Sequence, residues 1–112
     1  MCRPGEGERF ERANRVVTIL ADLGLVSVNE IDFDATFAVE PHVHADHVDA
    51  FYVLEGEVEF TLESETVSAG PGTLVAAPPG TRHGFRNPGP GRARVLNLYA
   101  PDAGFADSVR GP

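Results

Sequence analysis

Residues 57–63 read Glu57-Val58-Glu59-Phe60-Thr61-Leu62-Glu63 (EVEFTLE), an unbroken alternation of polar and apolar side chains. Successive residues of a strand point to opposite faces. Val58, Phe60 and Leu62 therefore share one side and the glutamates the other. This segment is a β-strand with one face toward a core and the other toward water.

Working outward, the same signal recurs in short pieces. Phe10, Ala13, Val17 and Leu20 would share a helix face, but Val16-Val17-Thr18-Ile19 is a β-branched run that predicts a strand over about 15–21. Leu25–Asp34 alternates with high β-propensity, although neither parity is purely apolar. Further strands are predicted at Phe51–Leu54, Thr66–Ser68, Thr73–Ala77, Thr81–Arg86 and Arg94–Tyr99. Between them lie Gly/Pro turns: Gly70-Pro71-Gly72, Pro78-Pro79-Gly80 and Pro88-Gly89-Pro90-Gly91. Eight or nine strands at this spacing leave no room for helices, so the expected fold is all-β, a sandwich or a small antiparallel β-barrel. It forms one domain over 1–112, with an N-terminal arm over 1–13.

Composition narrows the function. The 112 residues are 42% apolar and 23% charged, as in an ordinary globule. A net charge of −8 and a pI of about 4.8 argue against nucleic acid and anionic membrane surfaces as partners. The single cysteine, Cys2, can form no internal disulfide and fits a reducing compartment. No run reaches the ~18 apolar residues of a membrane span, and no signal pattern opens the chain. The expected location is the cytoplasm.

Polar residues that carry chemistry concentrate in PHVHADHVDAFYVLEG, Pro41–Gly56. On a strand, His42 and His44 project from one face with Cβ atoms roughly 6–7 Å apart, a separation two ligands of one metal can use. Asp49 follows after a turn-length gap and opens the next strand, and His83 stands at the start of a later one. Each has an ordinary alternative. An HxH pair is a common pattern, His47 reads as an exposed turn residue, and His83 alone reads as a structural histidine. Spacing by itself leaves metal site and polar turn both open.

The wider pattern is more specific. His42-x-His44, four residues, Asp49, six residues, Gly56 resembles the first motif of the cupin superfamily. GTLVAAPPGTRHGFRN matches the second at its fixed positions Gly72, Pro78, Gly80, His83 and Asn87. The resemblance runs from about Asn14 to Phe105, and the tail FRNPGPGRARVLNLYAPDAGF is similar to small single-domain, quercetin-dioxygenase-like cupins. It implies a double-stranded β-helix (jelly roll), a homodimer, and a divalent transition metal held by His42, His44, Asp49 and His83. Pro78 and Gly80 would shape the turn that delivers His83. Gly56 and Gly72 would sit where positive φ or close backbone approach is needed.

Two positions depart from that pattern: Asp49 replaces the usual Glu, and Thr36 the usual Gly. A carboxylate shorter by more than an ångström exceeds the tolerance of ~2.0–2.2 Å metal–oxygen bonds unless the backbone moves. Asp49 then binds directly, binds through water, or leaves a three-histidine site, with His47 the candidate to compensate. Histidine and carboxylate donors without thiolate suit Fe, Mn, Ni, Cu or Zn. Strand parity places Phe51, Val75, Phe85 and Leu96 among the expected walls of a small-molecule pocket. Apolar residues on the opposite parity, Tyr52 and Leu54, imply an outer face covered by a second sheet or another subunit. The expected activity is that of a metal-dependent dioxygenase-like enzyme. The alternatives are an isomerase or cyclase, or a binding protein without turnover.

Overall fold

The computed structural model describes residues 1–102 and 104–111, and these form ten strands and one short helix. The alternating stretch becomes β6 (Val58–Leu62), with Val58 and Phe60 fully buried. It turns through Glu63 and Ser64 into β7 (Glu65–Ala69). β9 (His83–Arg86) pairs with the other edge of β6, and β4 (Ala38–His42) pairs with β9. The resulting four-stranded sheet has the order β4-β9-β6-β7.

Six strands make the second sheet: β1 (Glu8–Glu11), β2 (Arg15–Asp22), β3 (Ser27–Phe33), β10 (Ala93–Ala100), β5 (Val48–Glu55) and β8 (Leu74–Ala77), in that spatial order. Every pairing is antiparallel, and crossovers place β10 between β3 and β5. The two sheets face each other as a jelly roll, as the cupin resemblance implied. They are not hydrogen-bonded into a closed barrel among the described residues.

Between the sheets lies an aromatic core. Phe85 meets Phe33, Phe37, Phe51 and Phe60 at centroid distances of 5.0–6.2 Å, in tilted and edge-on contacts. Val53, Val58 and Val95 fill the space behind them with no exposed surface. Burying each such side chain contributes about 1.5–3 kcal/mol.

The interior changes character along its length, which explains the mixed alternation of Leu25–Asp34. On β3 the inward row is Ser27, Asn29, Ile31 and Phe33, all buried. Ile31 and Phe33 face Val95 and Ala93 of β10, whereas Asn29 faces Asn97 and Ser27 faces Tyr99. On β5, Asp49 continues the inward row of Phe51 and Val53. One end of the interior is therefore apolar and the other polar.

Backbone geometry demands glycine at Gly56 and at Gly84. Gly56 has φ 79°, and a Cβ there would lie 2.6 Å from the Arg92 carbonyl oxygen and 2.9 Å from Ala93 Cα. Gly84 lets β4 cross closely beside His83: a Cβ would meet the Val39 oxygen at 2.6 Å and the Pro41 nitrogen at 2.8 Å. The β4–β9 register shifts between Val39 and His42, at this crossing.

Three expectations are corrected. The arm over 1–13 contains β1, paired with β2 from Glu8↔Ile19 to Glu11↔Val16. Its sequence ERFE has one apolar residue and no alternation, so its strand state comes from the partner edge. The helix-free expectation fails at α1 (Phe105–Arg110), which packs Phe105 and Val109 on the core and buries Ala106. Arg110 ties α1 to Glu8 and Asp22. Finally, β3 starts at Ser27, and Leu25 lies 83% exposed in the preceding turn. No helix among the described residues is long and apolar enough to cross a membrane.

Candidate metal centre

The polar end of the interior gathers His42, His44, Asp49 and His83, with one potential ligand atom from each, all within 4.8 Å of one another. His42 closes β4 and His44 lies just beyond its end, yet the chain keeps both rings on one side. Their Nε2 atoms are 2.7 Å apart. Asp49, second residue of β5, reaches across so that Oδ2 lies 2.9 Å from His83 Nε2. Asp49 and His83 are 2% and 3% exposed, and the other two are half-buried.

Tautomers follow from the backbone partners. His42 Nδ1 lies 2.8 Å from the Glu40 carbonyl oxygen, and His83 Nδ1 lies 2.8 Å from that of Thr81. A carbonyl oxygen only accepts, so both Nδ1 atoms carry the proton and donate it. In the neutral rings, both Nε2 atoms then turn lone pairs toward the cluster. A hydrogen bond between His83 Nε2 and the Asp49 carboxylate thus needs a proton beyond the one on Nδ1, whereas His44 can donate from its own Nε2 to the lone pair of His42 Nε2.

A cation among these atoms takes the place of the protons in those contacts, and the donor set fits one. Two ligands at right angles on ~2.1 Å bonds lie about 3 Å apart, close to the separations found. Without a cation the charged forms are disfavoured. Burial raises the Asp49 pKa, against hydrogen bonds from Asn97 and His83 that lower it. Burial lowers His44 to about 4, helped by His47, His42 and His83.

Residues behind the cluster hold it in place. Asn97 Nδ2 donates to Asp49 Oδ1 at 2.7 Å and to the Ala50 carbonyl at 3.3 Å. His47 stacks on His44 with centroids 4.1 Å apart, and on Tyr99 at 5.5 Å. Tyr99 packs in turn on Phe105 of α1. Burial, and then Asp49, raise the Tyr99 pKa, which keeps its phenol neutral.

In front of the cluster opens a cavity of about 330 Å³. His42, His44, Asp49, Asn97 and Tyr99 line one end, and Arg12 and Arg15 also border it. Val17, Ile31, Phe37, Val39 and Phe85 give it an apolar wall, and Phe105, Ser108 and Val109 of α1 lean over it.

Residues 31–99 match the family model described as a cupin domain. The chain is a cupin. An uncharacterised protein of Aquifex aeolicus (strain VF5) is 36% identical over 110 residues, 96% of this cupin and 83% of that protein. Quercetin 2,3-dioxygenase of Bacillus subtilis (strain 168) is 32% identical over 95 residues. That match takes in 77% of this cupin but only 27% of the dioxygenase, so the chain spans about a quarter of that enzyme's length. Among solved structures, KdgF from Halomonas sp. superposes with a TM-score of 0.84 at 25% identity, covering 95% of this cupin and 96% of KdgF.

The four residues expected to face a metal in this cupin do come together. His47 packs against His44 from outside the four-residue cluster. It is 9% exposed, not an exposed turn residue, and the cluster closes without it. Of the expected pocket walls, Phe85 lines the cavity, whereas Phe51 and Val75 are packed into the core away from it. Leu96 lies on the outer face: the inward row of β10 is Ala93, Val95 and Asn97. Leucines on the outward parity of this strand misled the assignment. Arg12, Arg15, Phe37, Asn97 and Phe105 were missed. Asn97 and Arg15 carry a sequence signal, since each is a polar residue in phase with buried ones.

Proposed function

We propose that this cupin holds a divalent transition metal on His42, His44, His83 and Asp49 and transforms a small organic molecule in the adjoining cavity. The observation that carries this is the convergence of four donor atoms within 4.8 Å, among them His83 Nε2 and Asp49 Oδ2 at 2.9 Å, although the His83 ring already carries its proton on Nδ1. Oxygenation is the favoured reaction, supported by similarity to quercetin 2,3-dioxygenase over 77% of the chain. When bound, a metal of this class supplies Lewis acidity and, if redox-active, dioxygen activation.

The chain's own residues supply the remaining functions. Thr81 and Glu40 carbonyls fix the two imidazole tautomers, and Asn97 fixes the carboxylate. Phe37, Phe85 and Phe105 exclude water from the organic part of a ligand. The neutral Tyr99 hydroxyl can donate a hydrogen bond at the rim of the cluster.

The test combines elemental analysis of protein purified without added metal with oxygen uptake by the iron- and copper-loaded forms on catechols and flavonols. Metal at one equivalent with oxygen consumption supports the reading. One equivalent of metal with the compounds bound and recovered unchanged indicates a binding protein. Failure to take up any of the five metals removes the proposal.

We also infer that a second copy of the chain covers the outer face of the larger sheet. Leu96, Tyr52 and Leu74 align in one row across β10, β5 and β8, and Tyr52 and Leu74 are 39% and 61% exposed. Sedimentation should show a dimer that Leu74→Glu dissociates. The free, exposed Cys2 suits a reducing compartment, and we place the protein in the cytoplasm.

A further inference from the structure

The basic residues of this chain are all arginines, nine in number, set against 17 acids. In so acidic a protein a guanidinium readily finds a carboxylate, and Arg3, Arg9, Arg86, Arg92, Arg94 and Arg110 each do so within 4.0 Å. Arg12 and Arg15 have no carboxylate partner among the described residues, and both border the cavity that contains the His/Asp cluster. Arg82, also without one, lies elsewhere and donates to the Glu63 carbonyl.

Arg15 occupies an inward position. It is in phase on β2 with Val17 and Ile19, which are 4% and 5% exposed, and its register partner on β3 is the fully buried Phe33. A cation there would ordinarily be selected against, because apolar neighbours cannot solvate it. Instead it is held: the guanidinium stacks 4.7 Å from the Phe37 ring centroid, and Nη1 donates to Asn14 Oδ1 at 3.0 Å. Arg12 Nη1 and Nη2 donate to the Glu11 and Val109 carbonyls at 3.0 and 3.2 Å. A guanidinium has five N–H donors, so each keeps donors for a ligand.

We propose that the substrate is an amphiphilic organic carboxylate. Its acid group is taken by Arg12 and Arg15, and its carbon skeleton lies along the apolar wall toward the His/Asp cluster. Two arginine forks match the planar, two-oxygen geometry of a carboxylate. The apolar stretch of Val17, Ile31, Phe37, Val39 and Phe85 separates that end from the cluster, so charge recognition and chemistry occupy different parts of one cavity. This rests on the cavity being the substrate site of the proposed function, and adds the charge of what binds there.

Calorimetric titration of the full chain with 3-phenylpropanoate and with 3-phenylpropanamide, in zinc-loaded and chelator-treated forms, tests it. The acid is expected to bind about tenfold or more tightly than the amide in both forms. Arg15→Gln should bring the acid down to the level of the amide while leaving amide binding unchanged, and Arg15→Lys should restore part of the difference. Amide binding reports that each variant is folded; if Arg15→Gln fails that check, the exposed Arg12→Gln carries the same expectation. Equal binding of acid and amide, binding of neither, or an acid preference indifferent to both arginines overturns the proposal. A preference seen only with zinc and untouched by the arginines assigns the anion to the metal, and leaves the proposed function standing. An arginine-dependent preference in protein that takes up no metal does the reverse.

Discussion

Asp49→Asn swaps one carboxylate oxygen for an NH₂ group at almost unchanged shape, and the structure predicts opposite effects with and without metal. In the metal-free protein Asp49 is 2% exposed, and its hydrogen bond to His83 Nε2 at 2.9 Å needs a proton beyond the one on Nδ1. The amide introduced by the substitution would donate to the Nε2 lone pair while its oxygen continues to accept from Asn97. Supplying that hydrogen bond without the uptake of a proton stabilises by about 1–2 kcal/mol at neutral pH. Unfolding entropy near 2.1 cal/mol/K per residue over the 112 residues makes 1 kcal/mol worth about 4 °C, so the metal-free variant should melt about 4–9 °C above wild type. With zinc at a hundredfold excess over its dissociation constant, the wild type gains about 2.7 kcal/mol, or about 11 °C. The variant, lacking the anionic ligand, should gain much less at the same zinc concentration. Differential scanning calorimetry in chelator and in zinc reads both shifts. A metal-free variant less stable than wild type would show that the wild-type pair already holds the proton it needs. Equal zinc shifts in the two proteins would show that Asp49 is not a ligand.

The neighbouring histidines should separate by role. His44→Ala should abolish stoichiometric zinc binding in a competition titration, whereas His47→Ala, which removes only the ring stacked on His44, should weaken it about 10–100-fold. Acid should act twice. Zinc affinity should fall steadily from pH 8 to pH 5, because imidazole ligands must be neutral. Without metal, His44 binds a proton less readily folded, with a pKa of about 4, than unfolded, near ~6.5. Its contribution to stability is therefore present above ~6.5 and lost as pH falls toward 4. Urea titrations in chelator should accordingly show a shallower loss over that window for His44→Gln than for wild type. Gly56→Ala should cost about 2 kcal/mol or more, combining positive φ with the clash against Arg92 and Ala93, as measured by thermal melting. Gly72→Ala, at φ 87° with its nearest neighbour 4.0 Å away, should cost only about 1 kcal/mol.

The strands over Arg15–Asp22 and Val58–Leu62 are legible in the chain because β-branched runs and period-two alternation are local properties. The His/Asp cluster was legible for a different reason: His42, His44, Asp49 and His83 stand at spacings that resemble a known pattern. β1 was not legible, because its strand state is borrowed from the β2 edge, and ERFE carries no pattern of its own. Leu96 shows the limit of parity on a strand with apolar residues on both faces, where only the pairing with β3 and β5 decides which row looks inward.

By itself, then, the sequence determined an antiparallel β architecture from neighbours along the chain, and its cupin resemblance singled out the four residues that cluster. Only the tertiary structure decided that Asp49 reaches the cluster despite its short side chain, because that depends on how close β5 lies to β9 across the interior. It also decided that His47 is packed beneath His44 rather than exposed, and that Arg12 and Arg15 share a cavity with residues about thirty positions and more away. Packing between sheets creates those distances, and no local pattern encodes them.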